Sequence, residues 1–183
     1  MFPFIRLAKD VSLAARAPRL DALTDLHISH HRCWLQDLDA FAEMNNGRVL
    51  TLYDLGRIGM AQRVGLIAVL RREKWGLTMA GSSVRYRKRI LAFETFETFE
   101  MRSRAVCWDD KFTYIEQSMW KRDGECASHV LYRAAVTDAD GLVAPHRVLA
   151  AMEQGLQSPS MPDWITNWTQ AEATRPWPPM QDS

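Results

Sequence analysis

A single change of hydrophobic period constrains this chain more than anything else in it. From Asn46 to about Val64 the apolar residues Val49, Leu50, Tyr53, Met60, Ala61 and Val64 recur at helical spacing, while Arg48, Thr51, Asp54 and Arg57 step by three along the other side. After Trp75 the period becomes two: Trp75, Leu77 and Met79 alternate with Gly76, Thr78 and Ala80. Glycines at 47, 56, 59 and 65 would each cost an isolated helix roughly 1 kcal/mol relative to alanine, yet they let another backbone come close. A helix that is apolar over most of its circumference and notched in this way suits one wrapped by a curved sheet better than one lying on a surface.

The strands follow from the alternation. Val84 and Tyr86 resume it out of phase, which predicts a bulge near Gly81 and Ser82. Phe99, Met101, Ala105 and Cys107 alternate with Glu100, Arg102 and Arg104, giving a long half-buried strand that Asp109 and Asp110 turn back. Phe112, Tyr114 and Trp120 belong to the next strand, Asp123-Gly124 supplies a hairpin turn, a last strand runs through Val130 to Val136, and Asp140-Gly141 ends it. Upstream, His30 to Leu35 reads as a first strand followed by a polar loop, Gln36 to Glu43. Gly65 marks the end of the long helix, Leu66 to Arg72 forms a further short turn, and Pro145 opens a short helix carrying Val148, Leu149 and Met152. The resulting class is α+β: a strand, a long helix, then four antiparallel strands, with the helix against one face of the sheet.

The 183 residues suit one domain, read as 26–155, between an N-terminal extension, 1–25, and a Trp/Pro-rich C-terminal tail, 156–183. Trp164, Trp168 and Trp177 are expected to stitch that tail onto the body or a neighbouring subunit. Twenty-three basic residues are nearly balanced by 22 acidic ones, so the basic surplus of a nucleic-acid binder is missing. Cys33, Cys107 and Cys126 lack Cys-x-x-Cys spacing, which argues against a disulfide framework or a Cys-rich zinc site and for a reducing cytosol. His27, His30, His31 and Cys33 invite a metal reading, but His30 and His31 are adjacent on a strand and face opposite sides, so no metal is assigned. Arg6, Lys9 and Asp10 interrupt the apolar start, which rules out a membrane span there and leaves a short amphipathic helix with Phe2, Phe4, Ile5 and Leu7 on its apolar side.

The chemistry gathers in Asp37-Leu38-Asp39-Ala40-Phe41-Ala42-Glu43-Met44-Asn45-Asn46-Gly47, at the entry to the long helix. The first N–H groups of a helix have no partner within it, and the macrodipole puts about half a positive charge there. Asn45 or Asn46 suits the N-cap, and Gly47 permits close approach of a ligand to the backbone. A donor aimed at a developing oxyanion supplies roughly 3 to 4 kcal/mol of transition-state stabilisation.

The pattern Asp-x-Asp, four residues, Met-Asn-Asn, then a helix with Asp54 and Arg57 resembles the hydroxybenzoyl-CoA thioesterase branch of the hotdog superfamily. The resemblance extends from about His30 to Met152 and takes in Val84-Arg85-Tyr86-Arg87 and the turn Trp108-Asp109-Asp110. It implies a hotdog fold, a homodimer or dimer of dimers, and an acyl-CoA substrate in the cleft between subunits, with CoA entering only as part of that substrate. It also implies that Asp39 is the catalytic carboxylate, acting as nucleophile or as general base for a water, with Asn45, Asn46 and Gly47 presenting the polarising N–H groups. Glu43 stands where the family commonly has His and is a secondary catalytic candidate. Arg85, Arg87 and Lys88, with Arg89, form a basic run suited to the CoA phosphates.

Plainer roles compete with each of these. Asp39 caps a turn in many loops, Asn45 and Asn46 cap helices, Asp54 and Arg57 form a structural i, i+3 pair worth only about a few tenths of a kcal/mol if exposed, and a basic run is often a solvated strand end. The alternative at the level of function is a non-catalytic acyl-CoA or acyl-chain binding hotdog protein, motivated by Glu43. Acyl-thioester hydration would want a His paired with a carboxylate, and His129 and His146 stand in no such motif.

Overall fold

The computed structural model describes residues 3–94 and 96–180; Phe2, grouped above with the first helix, lies outside them. The elements in chain order are α1 (Phe4–Arg16), β1 (His27–Arg32), α2 (Asn46–Arg63), α3 (Leu66–Glu73), β2 (Gly76–Tyr86), β3 (Thr98–Trp108), β4 (Thr113–Trp120), β5 (Cys126–Asp138), β6 (Gly141–Val143), α4 (Pro145–Ala151) and α5 (Asp163–Ala173). Along α2, Leu52, Tyr53, Leu55 and Gly56 are all buried. From Arg48 to Arg63 every residue of α2 is buried or half-buried, so no side of this stretch is fully exposed. The helix is wrapped as its composition predicts. A Cβ at Gly56 would run into Met101 Sδ of the sheet, and Gly65 leaves α2 at φ +83°, a left-handed conformation that starts α3 in a new direction.

The sheet is antiparallel with strand order β1-β3-β4-β5-β2, and β6 adds to β5. Its first strand corrects the sequence reading: it spans His27–Arg32, not 30–35, and the chain turns into a 3-10 helix at Leu35–Asp37. Its inward residues, His27 and His31, are buried but polar, so an apolar alternation cannot reveal them. The bulge in β2 lies between Met79 and Gly81, slightly upstream of its expected place. The β4–β5 hairpin closes at Gly124 with φ +86°, where Gly124 N–H donates to Lys121 O at 3.0 Å. Asp140-Gly141 ends β5 by folding it back into β6.

The i, i+3 pair of Asp54 and Arg57 forms as its spacing predicts, and Arg57 is buried: it donates to Gln117 Oε1 at 3.2 Å and stacks over the Tyr132 ring at 4.2 Å. Gln117, 1% exposed on β4, also donates through Nε2 to Tyr53 O at 2.9 Å and to Ser103 Oγ at 2.8 Å. Desolvated polar groups are costly unless every bond is made. Here the amide joins helix to sheet with both its N–H₂ group and its oxygen engaged.

Helices lie on both faces. α1 packs on α2, and Arg6 near its start reaches Asp37. On the outer face, α5 buries Ile165 against Cys107, Tyr114 and Leu131. Trp168 meets Tyr114 edge-on and Trp164 meets His129, whereas Trp177 is 86% exposed on this chain. Among the described residues no helix is long and apolar enough to cross a membrane.

The two inward histidines of β1 tie stability to pH. Burial, and for His27 the nearby Arg63, holds the His27 pKa down to about 4; burial first, then His27, Lys9, Arg6 and His30, does the same for His31. Asp10 lies 3.5 Å from His31 Nδ1, and its own carboxyl is raised by burial, so the fold keeps these neighbours from being charged together. The unfolded chain takes up these imidazole protons first as pH falls below about 6.5, which favours unfolding. The histidine contribution is therefore complete above about pH 6.5 and is lost progressively toward pH 4, on the order of 3 kcal/mol per ring. Urea unfolding is expected to show a lower midpoint at pH 5 than at pH 7, with a shallower pH dependence in His31→Gln. Equal slopes in the two proteins would show that His31 is not held neutral.

Candidate functional site

The segment entering α2 is built as a clamp. Trp34 N–H donates to Asp37 Oδ2 at 2.9 Å, and Asp37, 2% exposed, pairs with Arg6 at 2.7 Å and Arg48 at 3.7 Å. Its carbonyl accepts Asn45 N–H at 2.9 Å. The chain then makes a tight turn: Asp39 N–H donates to Glu43 O at 2.9 Å, Phe41 N–H to Asp39 Oδ1 at 2.8 Å, and Ala42 adopts φ +58°. Leu38 bridges Met44, and Glu43 bridges Leu91. The catalytic candidates of this stretch are thus set by backbone hydrogen bonds on both sides.

At the start of α2 the free donors can be counted. Asn45 is the N-cap, and its Oδ1 takes Gly47 N–H at 2.8 Å. Arg48 N–H and Val49 N–H both go to Asn45 O. Among the described residues this leaves Asn46 N–H without a partner, at the positive end of an 18-residue helix. Gly47 N–H, expected to polarise a carbonyl, is instead consumed by the cap. Asn46 O accepts a long bond from Tyr86 OH at 3.4 Å.

Asn46 opens onto a pocket of about 120 Å³ between the helix start, the Glu43–Met44 strand entry, the end of β2 and the start of β5. Glu43, Asn46, Arg87 and Lys88 line it together with Val49, Tyr86, Arg89, Ile90, Ala127 and Ser128. Arg89 pairs with Glu43 at 3.3 Å, and Lys88 pairs with Glu125 at 2.8 Å. Asp39, Asn45, Gly47 and Arg85 are not in the lining, so the structure gathers part of the predicted set. It adds Tyr86 and Ser128, and Ser128 hydrogen-bonds at 2.8 Å to Tyr53 behind the wall. The signal for Ser128 was a polar residue in phase with inward Val130, Tyr132 and Ala134 on β5. Among the described residues no three His, Cys, Asp or Glu side chains converge as metal ligands.

The family model of the thioesterase-like superfamily matches residues 33–169, from the end of β1 into α5. The chain belongs to the thioesterase-like superfamily. That membership classes it with the thioester hydrolases, and the fold is the hotdog: a long helix wrapped by a curved antiparallel sheet. Protein THEM6 of Xenopus laevis is 31% identical over 166 residues, which is 90% of this chain and 77% of that protein. Protein THEM6 of Drosophila melanogaster is 29% identical over 170 residues, 92% of this chain and 84% of the relative. Among solved structures, a DHNA-CoA thioesterase from Staphylococcus aureus superposes with a TM-score of 0.59 at 14% identity, covering 81% of this chain and 91% of the other. A second Staphylococcus aureus protein, solved in complex with CoA, gives 0.62 at 12% identity over 79% of this chain and 94% of the other. At such identities these two are likenesses of fold.

The two aspartates of the motif stand in different surroundings, and that difference is measurable. Asp37→Asn strips the charge from a buried carboxylate facing two arginines, which is expected to cost about 3 kcal/mol. Asp39→Asn keeps an acceptor for Phe41 N–H on a partly exposed turn and is expected to cost under about 1 kcal/mol. Urea denaturation of both variants tests this, and equal losses would contradict the division.

Proposed function

We propose that the chain hydrolyses the thioester of an acyl-CoA to a free acid and CoA. The observation that carries this reading is the unpartnered Asn46 N–H at the positive end of α2, beside a pocket lined by the Glu43 carboxylate and a basic strand end, with Asp39 on the turn that leads into the helix. The thioester carbonyl oxygen docks at Asn46 N–H, where negative charge is stabilised as it develops. Asp39 attacks the carbonyl carbon, the C–S bond breaks, CoA leaves as a thiolate that takes a proton from solvent, and water then hydrolyses the acyl–Asp39 anhydride to the free acid. Alternatively, Asp39 takes a proton from an attacking water and the departing thiolate receives that proton. Asp39 Oδ1 is held by Phe41 N–H, while Oδ2 has no partner among the described residues, which leaves one oxygen for chemistry. Arg87, Lys88 and Arg89 surround the pocket mouth and suit the phosphates of CoA, with Arg85 further along the strand.

The working unit in this reading is a homodimer. β2 is 11 residues long, largely exposed, and hydrogen-bonded only to β5 within the sheet, so its outer edge is open to a second copy. All three cysteines are unpaired, which suits a reducing cytosol. Light scattering is expected to give twice the 21.0 kDa of one chain, and a Ser83→Pro variant on the β2 edge is expected to shift it toward the single-chain mass; a wild-type monomer would refute the dimer.

Thiol release from short, long and aromatic acyl-CoAs tests the activity. Wild type is expected to turn over at least one of them, and Asp39→Asn to lose at least about a hundredfold in kcat while staying folded. If Glu43→Gln loses activity and Asp39→Asn does not, the attacking role moves to Glu43. Binding without thiol release across the panel would favour the non-catalytic acyl-CoA binding protein, the reading that the Glu43–Arg89 pair in the pocket supports.

A further inference from the structure

We infer that the Ser128 hydroxyl is a second hydrogen-bond donor to the acyl carbonyl, with its proton turned into the pocket by Tyr53, an inference that rests on the thioesterase reading of the site. Ser128 is 3% exposed and lines the same pocket as Asn46. Its Oγ lies 2.8 Å from the hydroxyl of Tyr53, a side chain fully enclosed between helix and sheet. Burial pushes the Tyr53 phenol well above its ordinary range, so it keeps its proton.

The direction of that bond follows from proton accounting. Among the described residues Ser128 Oγ is the one partner of the Tyr53 hydroxyl. If Ser128 donated, the phenolic proton would be buried with no acceptor, an arrangement folded proteins avoid. Tyr53 therefore donates, Ser128 Oγ accepts, and the serine proton is left to point elsewhere. No other acceptor for it exists among the described residues, and the space beside it is the pocket. A ligand carbonyl there meets two donors, the backbone N–H of Asn46 and the hydroxyl of Ser128. Ser128 is then a catalytic residue and Tyr53 a positioning residue that acts through it.

Two CoA derivatives that cannot be hydrolysed test this independently of turnover. An S-(2-oxoalkyl)-CoA keeps a carbonyl near the sulfur; the S-alkyl-CoA of equal length lacks it. By calorimetry, Ser128→Ala is expected to weaken the ketone about tenfold, or roughly 1.4 kcal/mol, while the S-alkyl compound changes less than about twofold. Tyr53→Phe is expected to weaken the ketone by a few-fold, and the double variant to match Ser128→Ala, because Tyr53 works only through the serine. In turnover, Ser128→Ala is expected to lower kcat/KM by at least the factor lost in ketone affinity. Equal weakening of both ligands, additive effects in the double variant, an unchanged ketone affinity, or a wild type that binds neither compound would overturn the inference. If wild type releases no thiol yet prefers the ketone, and Ser128→Ala erases the preference, the donor stands and the hydrolase reading falls. If wild type releases thiol and Ser128→Ala leaves the ketone preference unchanged, the hydrolase reading stands and the donor falls.

Discussion

The architecture hangs on one buried amide. Gln117 projects from the middle of β4 into the space between sheet and helix, where it holds the Tyr53 carbonyl, the Ser103 hydroxyl and the Arg57 guanidinium together. A hydrophobic interface alone would let α2 slide or rotate against the strands at little cost, since apolar contact is non-directional. The amide removes that freedom, because any other register leaves several polar groups desolvated and unpaired. Arg57 is further fixed by the face of Tyr132, so β3, β4 and β5 all grip the same turn of the helix.

Tyr53 connects this joint to the candidate site. Its carbonyl belongs to the amide cluster and its hydroxyl to Ser128 at the pocket wall, so one residue sets helix position and pocket chemistry together. At the other end of the pocket, the Asn45 cap and the Asp37 clamp orient the first turn of α2. Glu43 and Met44 are in turn pinned to residues 90 and 91 by backbone bonds. Loops usually carry function at the expense of order; here the loop before the helix is stitched on both sides.

Much of this was legible in the sequence because it is carried by period. The nearly all-round apolar α2, the alternation of β3 to β5 and the Asp123-Gly124 turn all follow from local pattern, and they suffice for the fold. The parts that escaped are those where a polar residue occupies an inward position. His27 and His31 hide the true start of β1, Arg57 shows its i, i+3 partner but not its burial, and Ser103, Gln117 and Ser128 sit in the apolar phase without breaking it. Such residues are read correctly only once their partners, often more than 60 positions away, are known. At the site, the helix entry was visible as a motif, but which N–H remains free depends on the choice of cap. That choice between Asn45 and Asn46 lies in backbone geometry.

The outer helix α5 changes what the sheet can be. Arg133 is held between the rings of Phe112 and Trp168, and Ile165, Tyr114 and Leu131 close a small apolar cluster of their own on that side. At that end the central strands are covered on both faces, while farther along β3 the ion pairs of Arg102 with Glu100 and Arg104 with Glu116 stay at the surface, as on the wetted face of an antiparallel sheet. A chain cut between α4 and α5 would expose an apolar patch, Cys107, Tyr114 and Leu131, across three strands. Proteolytic nicking in 153–161 would thus make the molecule adhesive to its own copies before it unfolded it.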